Sequence, residues 1–461
     1  MLTYQDFEKE VGTSTGEARA SFVRRAIEEH MADTMTQTAL MANRYDRQLN
    51  DTIMNYTKYI FTANGKKVVD ETASNNKLAS NFFRRLNVQR NTYLLGNGIS
   101  FTEESTKEKL GDTFDTSVKK AGYYALIHGV AFGYWNLDKL YVFTLPEFKP
   151  LWDEYTSDLR AGIRYWRLAP EKPLIAVLYE KDGYTRFVEN DSDALIAEEK
   201  QPYVQMVASS EVDGDVVVGE YSYSTLPIFP FWGSSNHQST LIGLRPKIDA
   251  YDLIASGFAN DLSDCAEIYW LLNNANGMDD VDLQEFRERL HLNHIAKVER
   301  DGQVVPYTQD VPYTSKKEFL DLVRASIYED FGGLDVHTIA AGATNDHIDA
   351  AYQPMDEEAD DYEYQCTEFI KQILALNGID DEPLYKRNRI SNEAERTTMV
   401  LSAANYLDDE TVLKHLPWIS VDEIKDIMDK KDTENAERFE AVKPPEEEQE
   451  ETPEEETEKA E

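Results

Sequence analysis

Two groups of residues have the right types for metal chemistry. Glu358, Asp360, Asp361 and Glu363 crowd into six positions. Carboxylates so placed hold divalent cations in nucleases, where the metals clamp the attacking and leaving oxygens of a phosphodiester. Asp335, His337, Asp346, His347 and Asp349 fall within fifteen positions and offer nitrogen and oxygen donors to a transition metal. Each group has a plainer account. The first reads as the charged opening turn of a helix, where anions favour the positive end of the helix dipole. The second lacks tight ligand spacing and reads as solvated loop residues. A third group, Lys316, Lys317 and Arg324, sits on a helical pattern and suits contact with phosphates; as surface residues the three need no special role. GxxxxGK[ST], HExxH and GxSxG are all absent from the sequence, which argues against a P-loop NTPase, a zinc protease and a serine hydrolase. No catalytic centre, metal or cofactor is expected.

The elements that would carry these groups are organised around residues 241–265, LIGLRPKIDAYDLIASGFANDLSDC. Leu244, Ile248, Tyr251, Ile254, Phe258 and Leu262 recur at steps of three and four, the period of one helical face. Pro246 falls where a first turn tolerates proline. Lys247, Asp249, Asp252, Asn260 and Asp261 would lie on the opposite face. A second helix follows a compact α/β excursion. Ser315 and Glu318 have capping-box spacing, Phe319, Val323 and Ile327 form a stripe, and Gly332-Gly333 marks the stop. Within the excursion, 266–273 reads as a strand, 282–290 as a short helix, and 294–299 with 303–307 as a hairpin across Asp301-Gly302. Two helices bracketing a small α/β insertion imply a stalk with a head.

Upstream, residues 12–60 and 115–128 read as helical, and 75–96 as a helix through Leu78, Phe82, Phe83, Leu86 and Tyr93. Short β-rich runs separated by turn dipeptides fill 134–218, so this half is α+β. Downstream, 334–356 reads as loop, 357–377 as a long helix stopped by Asn377-Gly378, and 391–406 and 421–430 as helices joined by LDDETVLKHLPWIS. From Asp432 the chain is polar and acidic and reads as disordered.

The charge balance is extreme. There are 86 acidic and 47 basic residues, a net −39, of which −9 lies in residues 446–461 and −30 in the rest. Such a chain should not grip nucleic acid non-specifically, although it suits a surface past which DNA slides. The two cysteines, Cys265 and Cys366, show no CxxC spacing and point to a reducing compartment. No apolar run reaches transmembrane length, and MLTYQDFEKEVG lacks a signal-peptide core, so a soluble intracellular protein is expected.

Taken in order, these stretches resemble the portal proteins of tailed bacteriophages with long non-contractile tails. The first match is Asn75-Asn76-Lys77 with Asn81-Phe82, then Tyr93-Leu94-Leu95-Gly96 and Ile99-Ser100-Phe101. The second runs from Ala121 through His128-Gly129 to Tyr134, with 146–153 and Ile163-Arg164-Tyr165 after it. The third, 244–261, looks like the family's stem-helix signature and is the most specific. The fourth is 407–419, with Asp409-Glu410-Thr411 before Leu416-Pro417. The sequence departs from the family's pattern between Gly378 and Leu407, where it is shorter.

The resemblance implies an α+β portal architecture: a wing over 1–240, stem helices over 241–265 and 314–331, and an α/β clip over 266–313. It further implies a tunnel loop and wing helix over 332–378, a helical crown over 379–430 and a disordered acidic tail over 431–461. Family members form rings of about twelve subunits. Such a ring sits at one capsid vertex of the virion, is assembled in the host bacterial cytoplasm, and passes double-stranded DNA during packaging and ejection. Terminase, a head-completion adaptor, capsid and scaffolding proteins are the implied partners, with no membrane role. The tunnel-loop residues would be Thr344, Asn345 and His347. Lys316, Lys317 and Arg324 would form a basic belt, and Ile248, Tyr251, Ile254, Phe258 and Leu262 would pack the stem within and between subunits. A phage structural or scaffolding protein without a channel, and a metal-dependent nuclease, are the alternatives.

Overall fold

The computed structural model describes residues 2–11, 16–61, 65–70, 73–210, 214–265, 269–273, 303–307, 313–336, 344–389, 393–416, 424, 427–431 and 433. It divides into two compact units, 1–336 with 352–389, and 337–351 with 390–461. Helix and sheet are mixed in the α+β manner expected.

In the first unit, the helices Tyr4–Val11 and Gly16–Ala32 lie on a five-stranded antiparallel sheet. Its strands run in spatial order Leu195–Ala197, Gly183–Glu189, Ile175–Glu180, Leu159–Trp166, Phe148–Trp152. Alternation drives this layer: Ala161, Ile163 and Tyr165 face the helices, as do Ala176 and Leu178 on the next strand. Phe7, Phe22, Val23, Ala26 and Ile27 close the core from the helical side. A three-stranded sheet, Ile228–Trp232, Val130–Asn136, Lys139–Thr144, forms a second layer. The helix Phe114–His128 and the long helix Asn345–Leu376 contribute to the core around it.

That long helix begins twelve residues before the expected 357. Tyr352, Met355, Ala359, Tyr362, Cys366, Phe369 and Ile373 are all buried at alternating steps of three and four. Pro354 and the Ala/Gly/Thr-rich approach mask this period in the sequence. Thr344 sits at the helix start, its Oγ1 accepting from His347 N at 3.4 Å and its carbonyl from Ile348 N at 3.0 Å. Of the stretch expected as loop, 334–356, residues 345–356 are therefore helical and 337–343 lie outside the described residues. At the other end the Asn377-Gly378 stop is as expected: Gly378 has φ +66°, and Ile379 N reaches back to Leu374 O.

A further expectation changes. Residues 75–81 are not helical and the helix there is Phe82–Leu95. The strand Gln303–Tyr307 pairs antiparallel with Tyr269–Asn273, from Tyr269 opposite Tyr307 to Asn273 opposite Gln303. The hairpin expected between 294–299 and 303–307, and the helix at 282–290, lie outside the described residues on the 294–299 and 282–290 sides. In the second unit, Glu393–Ala403 is helical, and a short helix Asp409–His415 occupies what reads as a linker. Asp408 caps it, accepting from Thr411 N at 3.0 Å. Of the tail expected to be disordered, Lys431 and Thr433 are helical and the rest lies outside the described residues.

Candidate functional site

The helix Leu241–Cys265 has the expected bounds, and Tyr313–Phe331 runs antiparallel beside it. The second helix starts at Tyr313, which places Ser315 inside its first turn rather than at its cap. Gly332 ends it with φ +63°, and Gly333 N donates to Tyr328 O at 2.8 Å, as the sequence predicts. The pair is pinned near both ends by charge: Lys247 reaches Asp330 and Ser326, and Lys316 reaches Asp261. At the Lys316 end Phe258 also meets Tyr313, with ring centroids 5.7 Å apart.

The orientation of Leu241–Cys265 departs from the amphipathic reading. Leu241, Leu244 and Ile248 enter the core with Phe82, Phe83, Ile327 and Phe331. Beyond Ile248 the buried line continues as Asp252, Ser256 and Asn260, each at 2% exposure or less. Tyr251 packs edge-on against Phe82 at 5.0 Å, Ile254 and Phe258 are half-buried, and Leu262 is exposed. The reason lies in the facing segment. Residues 75–80 carry main-chain N–H groups that find acceptors on this helix. Asn260 Oδ1 accepts from Asn76 N at 2.6 Å, Ser256 Oγ from Leu78 N at 2.9 Å, and Asp252 Oδ1 from Ser80 N at 2.9 Å. Asn50 Nδ2 donates to the other Asp252 oxygen. The spacing fits because four helical residues rise about 6.0 Å and two extended residues about 6.6 Å. Burial pushes the Asp252 carboxyl above its ordinary range, and the Asn50 and Ser80 donors pull it back only in part.

The sequence signal for this strap is the spacing Asp252–Ser256–Asn260, three small acceptors at i, i+4, i+8 continuing the Leu244–Ile248 line. It also explains why Asn75-Asn76-Lys77 and 244–261 stand out together: they are two halves of one contact.

The basic residues are largely engaged. Lys316 faces Asp261, and Arg324 pairs with Asp335 at 2.9 Å while lying 5.8 Å from the Tyr328 ring centre. Lys317 is exposed. In the second unit, Thr344, Asn345 and His347 stand at the opening turn of the long helix, with His347 exposed and Asn345 N donating to Glu395 at 2.7 Å.

The carboxylates that suggest a nuclease form ion pairs and caps instead. Glu358 pairs with buried Arg90 at 3.1 Å; Asp360 and Glu363 pair with Arg387; Asp361 accepts from Ser235 N at 2.8 Å. Asp356, which sequence reading passes over, gathers Tyr93 Oη at 2.6 Å, Arg387 Nη1 at 2.9 Å and Arg389. Burial would raise its carboxyl, but these donors hold it below the usual carboxylate range. Asp335 of the second group is tied to Arg324, and His337 lies outside the described residues. Among the described residues no group of three His, Cys, Asp or Glu converges as a metal site. None of their helices is long and apolar enough to cross a membrane.

The sequence is similar to that of known proteins across most of its length. Residues 25–437 match the family described as phage portal protein, SPP1 Gp6-like. The portal protein of Clostridium phage phiCD119 is 25% identical over 382 residues, 75% of this chain and 82% of the relative. That of Bacillus phage SPP1 is 23% identical over 440 residues, covering 87% and 84% respectively. With the family match spanning nearly the whole body, this chain belongs to the SPP1 Gp6-like phage portal proteins.

Proposed function

We propose that the chain closes into a ring of about twelve copies at one capsid vertex and conducts double-stranded DNA along the ring axis. The observation that carries this reading is the antiparallel pair Leu241–Cys265 and Tyr313–Phe331, pinned by Lys247–Asp330 and Lys316–Asp261, with the paired strands Tyr269–Asn273 and Gln303–Tyr307 closing the excursion between them. These are the stem helices, with a clip over 266–313 that meets terminase during packaging and the head-completion adaptor afterwards. Residues 1–240 are the wing toward capsid and scaffolding proteins, 332–378 the tunnel loop and wing helix, 379–430 the crown and 431–461 the acidic tail.

The mechanism is geometric and electrostatic. Acidic walls keep the duplex from adhering. Lys317, with Lys316 and Arg324 beside their carboxylates, gives a weak, screened belt repeated once per subunit. Thr344, Asn345 and His347 are the residues that touch the passing duplex, His347 with its side chain exposed. Native mass spectrometry with negative-stain imaging tests the reading: rings of about twelve with an axial hole are expected, and a compact dimer without a channel overturns it.

A further inference from the structure

The ribbon Tyr59–Phe61 with Lys67–Val69 is an apolar element of the first unit left largely open to solvent. Tyr59 stands opposite Val69, and Phe61 opposite Lys67, so these four share one face. Phe61 is 73% exposed, and Tyr59, Ile60 and Val69 are each about half exposed, so neither face of the ribbon is covered. A two-stranded ribbon with no third strand or helix packed on it is marginal in water. The ribbon is also basic in an acidic chain. Residues 56–69 contain Lys58, Lys66 and Lys67 and no acidic residue, and Lys67 Nζ lies 3.9 Å from the Tyr59 ring centre.

A matching surface exists elsewhere on the same chain. The outward face of Tyr313–Phe331 carries Glu318, Leu322, Ala325 and Glu329 at steps of four, three and four, with Asp321 beside them. Leu322 is 66% exposed at the centre of this acidic rim, flanked by Phe319 at 41%. One patch is apolar with lysines and the other apolar with carboxylates. Ring closure joins two unlike patches head to tail, which is the relation these two have.

We infer that the paired strands Tyr59–Phe61 and Lys67–Val69 of one subunit dock on the Leu322 face of the next subunit's Tyr313–Phe331 helix. This rests on the ring reading above. Phe61→Asp and Leu322→Asp each place a charge on an exposed position, so both variants should keep the wild-type circular dichroism and melting point. Each alone should weaken the subunit joint by about 30-fold or more, as expected of a central apolar anchor, and run as monomer where wild type forms rings. Mixed in equal amounts they retain one good joint between unlike variants, so native mass spectrometry should show heterodimers and nothing larger. Rings from either variant alone, or a mixture that stays monomeric, overturn the docking assignment while leaving the ring reading intact. Wild-type chains that stay monomeric at every concentration overturn the ring reading and this docking with it.

Discussion

Replacing Asp252 by alanine tests whether the Leu241–Cys265 helix is held by the strap or by its apolar stripe. The substitution removes the acceptor of Ser80 N, at 2.9 Å, and of Asn50 Nδ2. Each buried donor left without a partner costs about 1–3 kcal/mol. Asn50 Nδ2 keeps Ser80 O at 3.1 Å, which limits its loss. Removing a carboxyl that burial already disfavours returns part of the cost. The net expectation is a destabilisation of about 2 kcal/mol, read by denaturant unfolding. Hydrogen exchange gives a local measure. In wild type the amides of Asn76, Leu78 and Ser80 should exchange slowly and those of Lys77 and Ala79 quickly. In Asp252→Ala the Ser80 amide should speed up by about 30-fold, the equivalent of about 2 kcal/mol. Asp252→Asn keeps one acceptor and drops the buried charge, so it should cost below about 1 kcal/mol. Because the folded Asp252 carboxyl titrates above its unfolded value, its contribution falls as pH rises through that interval, and the asparagine variant should lose this slope. If Asp252 faced solvent, alanine would change stability by less than about 0.5 kcal/mol and leave Ser80 exchange untouched; that outcome refutes the strap.

Glu358→Ala should cost about 1–2 kcal/mol, since buried Arg90 loses a half-exposed partner but keeps Phe331 O; equilibrium unfolding reads this, and a neutral result would mean that the pair is solvated. Burial holds His128 down to about 3, so its neutral form is the folded one, and stability falls as pH drops below the unfolded value near 6.5. Between pH 7 and 5 wild type should lose about 2 kcal/mol that His128→Gln does not, with pH-dependent denaturation as the check. A methyl on Gly133 would lie 2.5 Å from Phe369 Cζ, against the ring stacked 4.8 Å from Phe231. Gly133→Ala should therefore cost about 1–3 kcal/mol of thermal stability by overpacking.

The sequence disclosed what local chemistry decides. Gly332-Gly333 and Asn377-Gly378 stop their helices because only a residue tolerant of positive φ completes that turn. Leu241–Cys265 kept its bounds because its period is unbroken. What stayed hidden was decided by distant partners. Asp252 and Asn260 look like solvent-facing polar residues until an extended segment some 180 positions earlier presents its amides to them. Glu358, Asp360 and Glu363 look like ligands until Arg90 and Arg387 arrive from other elements. The early start of Asn345–Leu376 was obscured by Pro354, whose missing N–H is one lost bond in a helix held by seven buried side chains.

The strap has a mechanical consequence. Its three hydrogen bonds run across the helix axis at Asp252, Ser256 and Asn260, spaced about 6 Å apart. A pull along that axis loads all three in shear at once, whereas a pull across it would open them singly like a zipper. Slippage is quantised as well, since the next register in which N–H groups meet acceptors lies one helical turn away. A helix fastened in this manner bears axial thrust stiffly and yields by tilting, the compliance that the proposed channel would want in a part beside a moving rod.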